Sequence, residues 1–134
     1  MILMPDTNVW IKLLNPGDSP VKDRFIVTRP DDIRLCSVVK AELYFGAYKS
    51  ARKEENLTVI ENLFKGFVSF SFGDRAAKIY GDLRARLSAQ GAMIGPNDLM
   101  IAAIAIANKS ILITHNVKEF KRIAGLEIAD WEAC

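Results

Sequence analysis

Residues 2–8, ILMPDTN, run an apolar triplet into a charge: Ile2, Leu3 and Met4 meet Pro5, and Asp6 follows at once with Thr7 and Asn8. A short apolar run stopped by proline reads as a strand, and VWIKLL after Asn8 as a brief helix closed by Asn15-Pro16-Gly17. The opening unit is therefore strand, loop, helix. Asp6 stands at the handover, either as a turn residue capping the helix or as a carboxylate held at a strand end for chemistry. The rest of the chain decides between them.

Reading onward, Ser19-Pro20 caps a second short helix, VKDRFIV, and Pro30-Asp31-Asp32 breaks the chain. IRLC (residues 33–36) is a second strand. Ser37 can cap the helix VVKAELYFGAYKS, where Val38, Glu42 and Phe45 share one face. A helix over residues 53–64 carries Leu57, Ile60 and Phe64 and ends at Gly66. The alternation from Val68 to Phe72 predicts a strand, and Asp74 caps a long helix with Ala76, Ile79, Tyr80, Leu83 and Leu87 on its apolar face. After Gly95-Pro96, Asn97 or Asp98 opens LMIAAIAIA, apolar enough to be buried on most sides. ILIT (residues 111–114) is a buried strand, VKEFKRIAG a last short helix, and LEIADW an edge strand or tail. Strands alternating with helices predict an α/β fold with a parallel sheet between helices. At 134 residues the expectation is a single domain over residues 1–134.

Eighteen Lys and Arg against sixteen Asp and Glu give a net charge of +2, too small to imply nucleic-acid binding through net charge. Two cysteines, Cys36 and Cys134, form no paired motif, and the opening residues carry no signal-peptide pattern. No apolar run approaches the roughly 20 residues of a membrane span. A cytoplasmic protein is expected.

Parallel α/β sheets bind ligands at the carboxyl ends of their strands. Three places qualify: Asp6 after ILM, Ser37 with Glu42 further along after IRLC, and Thr114-His115-Asn116 after ILIT. Asp98 adds a fourth place and a third acid, in the first turn of a helix that carries no other charge until Lys109. An acid in a first turn also suits the helix dipole, so Asp98 alone is ambiguous. Glu42, on a face shared with Val38 and Phe45, needs a partner, because an unpaired buried carboxylate is strongly disfavoured. That partner is either an Arg or Lys, or a cation shared with Asp6 and Asp98. Carboxylates completed by water suit Mg²⁺ or Mn²⁺, and the single histidine disfavours zinc. No glycine-rich phosphate loop and no G-x-S-x-G occurs.

Taken together, PDTNVW, SVVKAELYFGA, GPNDLMIAA and THNVKEFKRIAGLEIADW resemble the PIN domain, and within it the VapC ribonuclease toxins of toxin–antitoxin pairs. The resemblance covers essentially the whole chain. It implies a parallel sheet of four to five strands flanked by helices on both faces, and a Mg²⁺-dependent endoribonuclease in which Asp6, Glu42 and Asp98 hold the ion and position water. Glu119, in the THNVKEF stretch, is implied to assist at the metal site. Thr7, Asn8, Thr114 and Asn116 are expected to orient the carboxylates by hydrogen bonds. Arg84, Arg86, Lys118, Lys121 and Arg122 are candidates for contacting RNA. The resemblance also implies a structured RNA target such as a tRNA anticodon stem-loop, a VapB-like antitoxin, and homodimers within larger toxin–antitoxin assemblies. Trp10, Phe45 and Tyr48 could line the antitoxin's groove. Two other readings fit parts of the pattern: a PIN-like domain that binds without cleaving, and an aspartyl-phosphate receiver. The receiver would need a second acid near the first strand, an acceptor aspartate ending a middle strand and a lysine after a late one.

Overall fold

The computed structural model describes residues 1–133; Cys134 lies outside the described residues. Five short strands, β1 (Leu3–Pro5), β2 (Arg34–Cys36), β3 (Val68–Phe70), β4 (Ile111–Ile113) and β5 (Ile128–Ala129), alternate with helices. The helices are α1 (Thr7–Leu14), α2 (Pro20–Val27), α3 (Ser37–Lys49), α4 (Lys53–Phe64), α5 (Asp74–Ala89), α6 (Pro96–Ala107) and α7 (Val117–Phe120).

All pairings are parallel. β1 lies against β4 in the register Leu3–Ile111, Met4–Leu112, Pro5–Ile113; β4 lies against β5, and β2 against β3. A parallel bridge from Leu3 to Ile33 joins the two sets, giving the order β3-β2-β1-β4-β5. The chain therefore winds outward from β1 to β3, crosses back to β4 and continues to β5. Right-handed crossovers then place the helices of the two halves on opposite faces. The reversal between β2–β1 and β1–β4 is a topological switch point, and its crevice opens at the carboxyl ends where Asp6, Ser37 and Thr114 follow their strands.

The core explains why the strands can be so short. Met4, Leu35, Leu112 and Ile113 are fully buried, and α6 contributes Leu99 and the run Ile101–Ala105. A helix apolar on every side has no solvent face to offer, as its composition predicts. Trp10 is also fully buried: its Nε1 donates to the Pro5 carbonyl at 3.0 Å, and its ring meets Phe25 and Phe67 at 5.1 and 5.0 Å.

Several expected boundaries move. α1 starts at Thr7, with Asp6 as its N-cap. Ser37 lies inside α3 rather than capping it, its hydroxyl donating to the Phe70 carbonyl at 3.3 Å. Asp74 is likewise the first residue of α5, after Gly73, and α6 begins at Pro96, which leaves Asp98 within its first turn. The strand expected over residues 68–72 stops at Phe70, with the exposed Val68 opening it. Ser19 caps α2 as expected, accepting from Lys22 N at 3.1 Å.

Candidate active site

Asp6 has its position fixed twice by the backbone. Its N–H donates to the Ile113 carbonyl at 2.9 Å, extending the β1–β4 ladder by one rung, while its Oδ1 accepts from Val9 N at 3.1 Å. The two readings of Asp6 do not compete: the carboxylate caps α1 and still faces the crevice. The fully buried Thr114 hydroxyl also hydrogen-bonds this carboxylate and accepts from Asn116 N at 3.0 Å. Burial pushes the Asp6 carboxyl above its ordinary range, the bonds from Thr114 and Val9 pull it back, and Glu42 pushes it up again.

Glu42 reaches the same place from α3. The Thr7 hydroxyl donates to its Oε1 at 2.5 Å, so Asp6 and Thr7, adjacent in sequence, each settle one acid. Glu42 is half-buried at the mouth of the crevice, not turned into the core as its spacing with Val38 and Phe45 predicts. The core takes Val38, Val39, Leu43 and Ala47 from this helix and leaves Phe45 65% exposed.

Asp98, in the first turn of α6, is half-buried. Its carboxyl is raised to about 6, first by desolvation and then by the charges of Glu42, Asp6 and Glu119. Four acids from four separate elements thus repel one another across a single space. Glu119 on α7 is oriented by Asn116, whose Nδ2 donates to its Oε2 at 2.9 Å. No ion pair among the described residues includes any of the four. An Arg or Lys partner for Glu42, one of the two alternatives open from sequence, is therefore not what the fold provides. The donor set is all oxygen, with the uncompensated charge that a hard divalent cation would neutralise.

Three hollows border Asp6 or Glu42 and share Ile11. One of about 370 Å³ is lined by Asp6, Asn8, Lys12, His115 and Asn116; another, between α1 and α3, by Thr7, Asn8, Glu42, Phe45 and Asn97; the third extends between α3 and α4 past Ala47 and Ile60. Asn8 is exposed on the rim of two of them.

The PIN domain family model matches residues 3–126. Ribonuclease VapC2 of Rickettsia felis is 37% identical over 133 residues, covering 98% of this chain and 99% of that protein. The chain belongs to the VapC family of PIN-domain ribonucleases. A second relative, the tRNA(fMet)-specific endonuclease VapC of Shigella flexneri, is 37% identical over 128 residues, covering 96% of each. Among solved structures, VapBC2 from Rickettsia felis bound to a DNA fragment from its promoter matches with a TM-score of 0.90 at 35% identity, covering 98% of this chain and 99% of that one. As a VapC protein the chain is an endoribonuclease, and the acid-lined crevice is its candidate active site.

The remaining candidates fall unevenly. Lys118, Lys121 and Arg122 are exposed on α7 and just after it, close along the chain to Glu119. Arg122 donates to the Met93 carbonyl at 3.5 Å. On α5 the exposed Arg84 donates to the Tyr80 hydroxyl, and Arg86 pairs with Asp82 at 3.1 Å. Of the aromatic residues considered for a groove, Phe45 and Tyr48 are exposed, but Trp10 is core. Lys12, Asp130 and Glu132 belong to no catalytic motif in the sequence. Lys12 binds Glu132, and His115 binds Asp130, beside the Asp6 hollow. No local spacing in the sequence links these residues, since Lys12 meets Glu132 across 120 positions of chain.

Proposed function

We propose that this chain is a Mg²⁺-dependent endoribonuclease toxin, with Mn²⁺ an acceptable substitute, that cleaves a structured RNA, a tRNA anticodon stem-loop, and thereby inhibits translation. Asp6, Glu42 and Asp98 hold the ion and Glu119 assists. One observation carries this reading: four carboxylates from α1's cap, α3, α6 and α7 come together without an ion pair to any of them among the described residues, and burial together with the charges of the other three raises Asp98 to about 6. A domain that only bound a partner would gain nothing from that repulsion.

When bound, the ion acidifies water and stabilises charge developing on the phosphate. The protein's own residues do the positioning. Asp6 is fixed by Val9 N and Thr114, Glu42 by the Thr7 hydroxyl, and Glu119 by Asn116. Asn8 on the rim holds the substrate side of the crevice. Lys118, Lys121 and Arg122, with Arg84 and Arg86 as a second patch, offset the acids' repulsion for the RNA backbone. An unpaired loop suits so small a domain, because its splayed bases and backbone reach a shallow crevice that a duplex does not.

A VapB-like antitoxin is the proposed partner, in homodimer-based assemblies, since related structures are VapBC complexes. Its segment would lie along the hollows bounded by Ile11, Phe45, Val59 and Ile60. The proposed setting is the cytoplasm, in a single domain over residues 1–134; among the described residues no helix is long and apolar enough to cross a membrane.

The deciding experiment uses protein purified free of antitoxin and incubated with total tRNA and Mg²⁺ or Mn²⁺. Cleavage is expected, and chelator or Asp6→Asn abolishes it. Cleavage that survives either control overturns the metal mechanism.

A further inference from the structure

His115 follows Thr114 at the carboxyl end of the sheet and lines the same hollow as Asp6, Asn8 and Lys12. Its side chain is 60% exposed, yet its ring is anchored: Nδ1 lies 3.0 Å from Asp130 Oδ2. Asp130 is in turn only 16% exposed, and its Oδ1 accepts from Glu132 N at 2.8 Å. Glu132 receives the Lys12 ammonium on both oxygens, at 2.6 and 2.5 Å. His115, Asp130 and Glu132 have ligand atoms within 4.8 Å of one another, a spacing that would suit a metal ion. The Lys12 ammonium already occupies the negative side of that group, so a second cation there would meet a fixed positive charge at bonding distance. The network serves to hold the ring.

A carboxylate on Nδ1 keeps the proton on that nitrogen and leaves Nε2 as an acceptor. Nε2 has no hydrogen-bond partner among the described residues. If phosphate chemistry takes place at the acids, the adjoining hollow holds the sugar–phosphate backbone beside the cut. That backbone offers acceptors almost everywhere, in phosphate oxygens, ester oxygens and ring oxygens. Its one donor is the 2′-hydroxyl.

We infer that His115 is a substrate-contacting residue whose Nε2 accepts a hydrogen bond from a ribose 2′-hydroxyl next to the cleaved phosphodiester, with Asp130 as the positioning residue that sets the tautomer. This rests on the ribonuclease reading of the acid cluster, and it supplies that site with a means of telling RNA from DNA. Water, not the 2′-hydroxyl, is the nucleophile in that reading, so removing the hydroxyl probes the contact and not the chemistry.

The test takes the stem-loop around the cut that the wild-type protein makes in total tRNA, with single 2′-deoxy substitutions at each nucleotide flanking that cut. One such substitution is expected to lower wild-type kcat/KM about three- to tenfold, the range of one hydrogen bond. His115→Ala lowers cleavage of the all-ribose substrate by a similar factor and no longer responds to that substitution. Asp130→Asn also loses the response without a change in Tm, while His115→Gln, which retains an acceptor, recovers part of it. A deoxy penalty equal in wild type and His115→Ala overturns the inference, as does the absence of any sensitive position. Failure of the wild type to cut any RNA overturns the reading beneath it, and the two failures are distinct.

Discussion

The Thr7 hydroxyl donates to Glu42 Oε1 at 2.5 Å, tying the first residue of α1 to the middle of α3 across 35 residues of chain. Because Asp6 precedes Thr7 directly, the end of β1 fixes one acid by its backbone and a second through a neighbouring side chain. Thr7→Val keeps the shape and removes the donor, leaving Glu42 free to rotate. Losing a residue that orients a metal ligand typically costs 10- to 100-fold in metal affinity or activity. We expect single-turnover cleavage by Thr7→Val to fall by about that much at limiting Mg²⁺, with Thr7→Ser close to wild type. A valine variant as active as the serine one would show that Glu42 is held by something else.

Asp6 carries two duties that different substitutions separate. Asparagine caps helices as well as aspartate does, whereas alanine leaves the Val9 N–H without its acceptor, a loss of about 1 kcal/mol. Asp6→Asn should therefore keep the wild-type Tm in chelator and lose cleavage. Asp6→Ala should lose cleavage and melt several degrees lower, since about 1 kcal/mol shifts a domain of this size by roughly 2–8 °C. Equal melting of the two variants would mean that the cap contributes nothing, and cleavage by Asp6→Asn that its charge is not needed.

The same stretch shows what can be read from sequence and what cannot. Alternating strands and helices, and acids placed after strands, are local patterns, and the parallel sheet follows from them. Helix starts are less legible, because a cap depends on backbone angles that a serine or aspartate does not itself impose. Cys36, extended at φ −141 and ψ 160, takes the N-cap position and moves Ser37 into α3. On α3 itself, Val38 is buried together with Val39, Leu43 and Ala47, while Glu42 and Phe45, which share its helical spacing, compete with that set for the core and lose. Packing against the sheet and α4 chooses between them, so Glu42 emerges at a mouth instead of in an interior. The Lys12–Glu132 pair spans 120 residues and leaves no local trace at all.

Thr114 offers a stability test inside the site. Its hydroxyl is fully buried between the Asp6 carboxylate and Asn116 N, and its own N–H donates to the Ala129 carbonyl at 2.9 Å. Thr114→Val is close in shape and leaves two buried polar partners unmatched. A lost buried partner costs about 1–3 kcal/mol, and urea denaturation should show a decrease in that range. Thr114→Ser should recover most of it. Without this donor Asp6 is also pushed further up, so the variant should need more Mg²⁺ for half-maximal cleavage. A valine variant with unchanged denaturation midpoint and Mg²⁺ requirement would show that the hydroxyl does not support the carboxylate.

Asp98 gives the site a pH signature that can be read without any RNA. Its folded-state pKa is raised from 3.8 to about 6, so the native protein binds this proton more readily than the unfolded chain does. The linkage sign follows: in metal-free protein the charged Asp98 costs stability in full above about pH 6, and that cost fades as the pH falls towards 3.8. Other carboxylates titrate in the same window, so the contribution is isolated as the Tm difference between wild type and Asp98→Asn, both in chelator. The asparagine variant should be the more stable near pH 8, with the gap narrowing as the pH drops below about 6. Mg²⁺ should reverse this ordering near pH 8 by stabilising the wild type alone, and should do so less near pH 5, where protons compete for the same oxygens. A gap independent of pH, or equal stabilisation of both proteins by Mg²⁺, would show that Asp98 neither meets the other acids nor shares a cation with them.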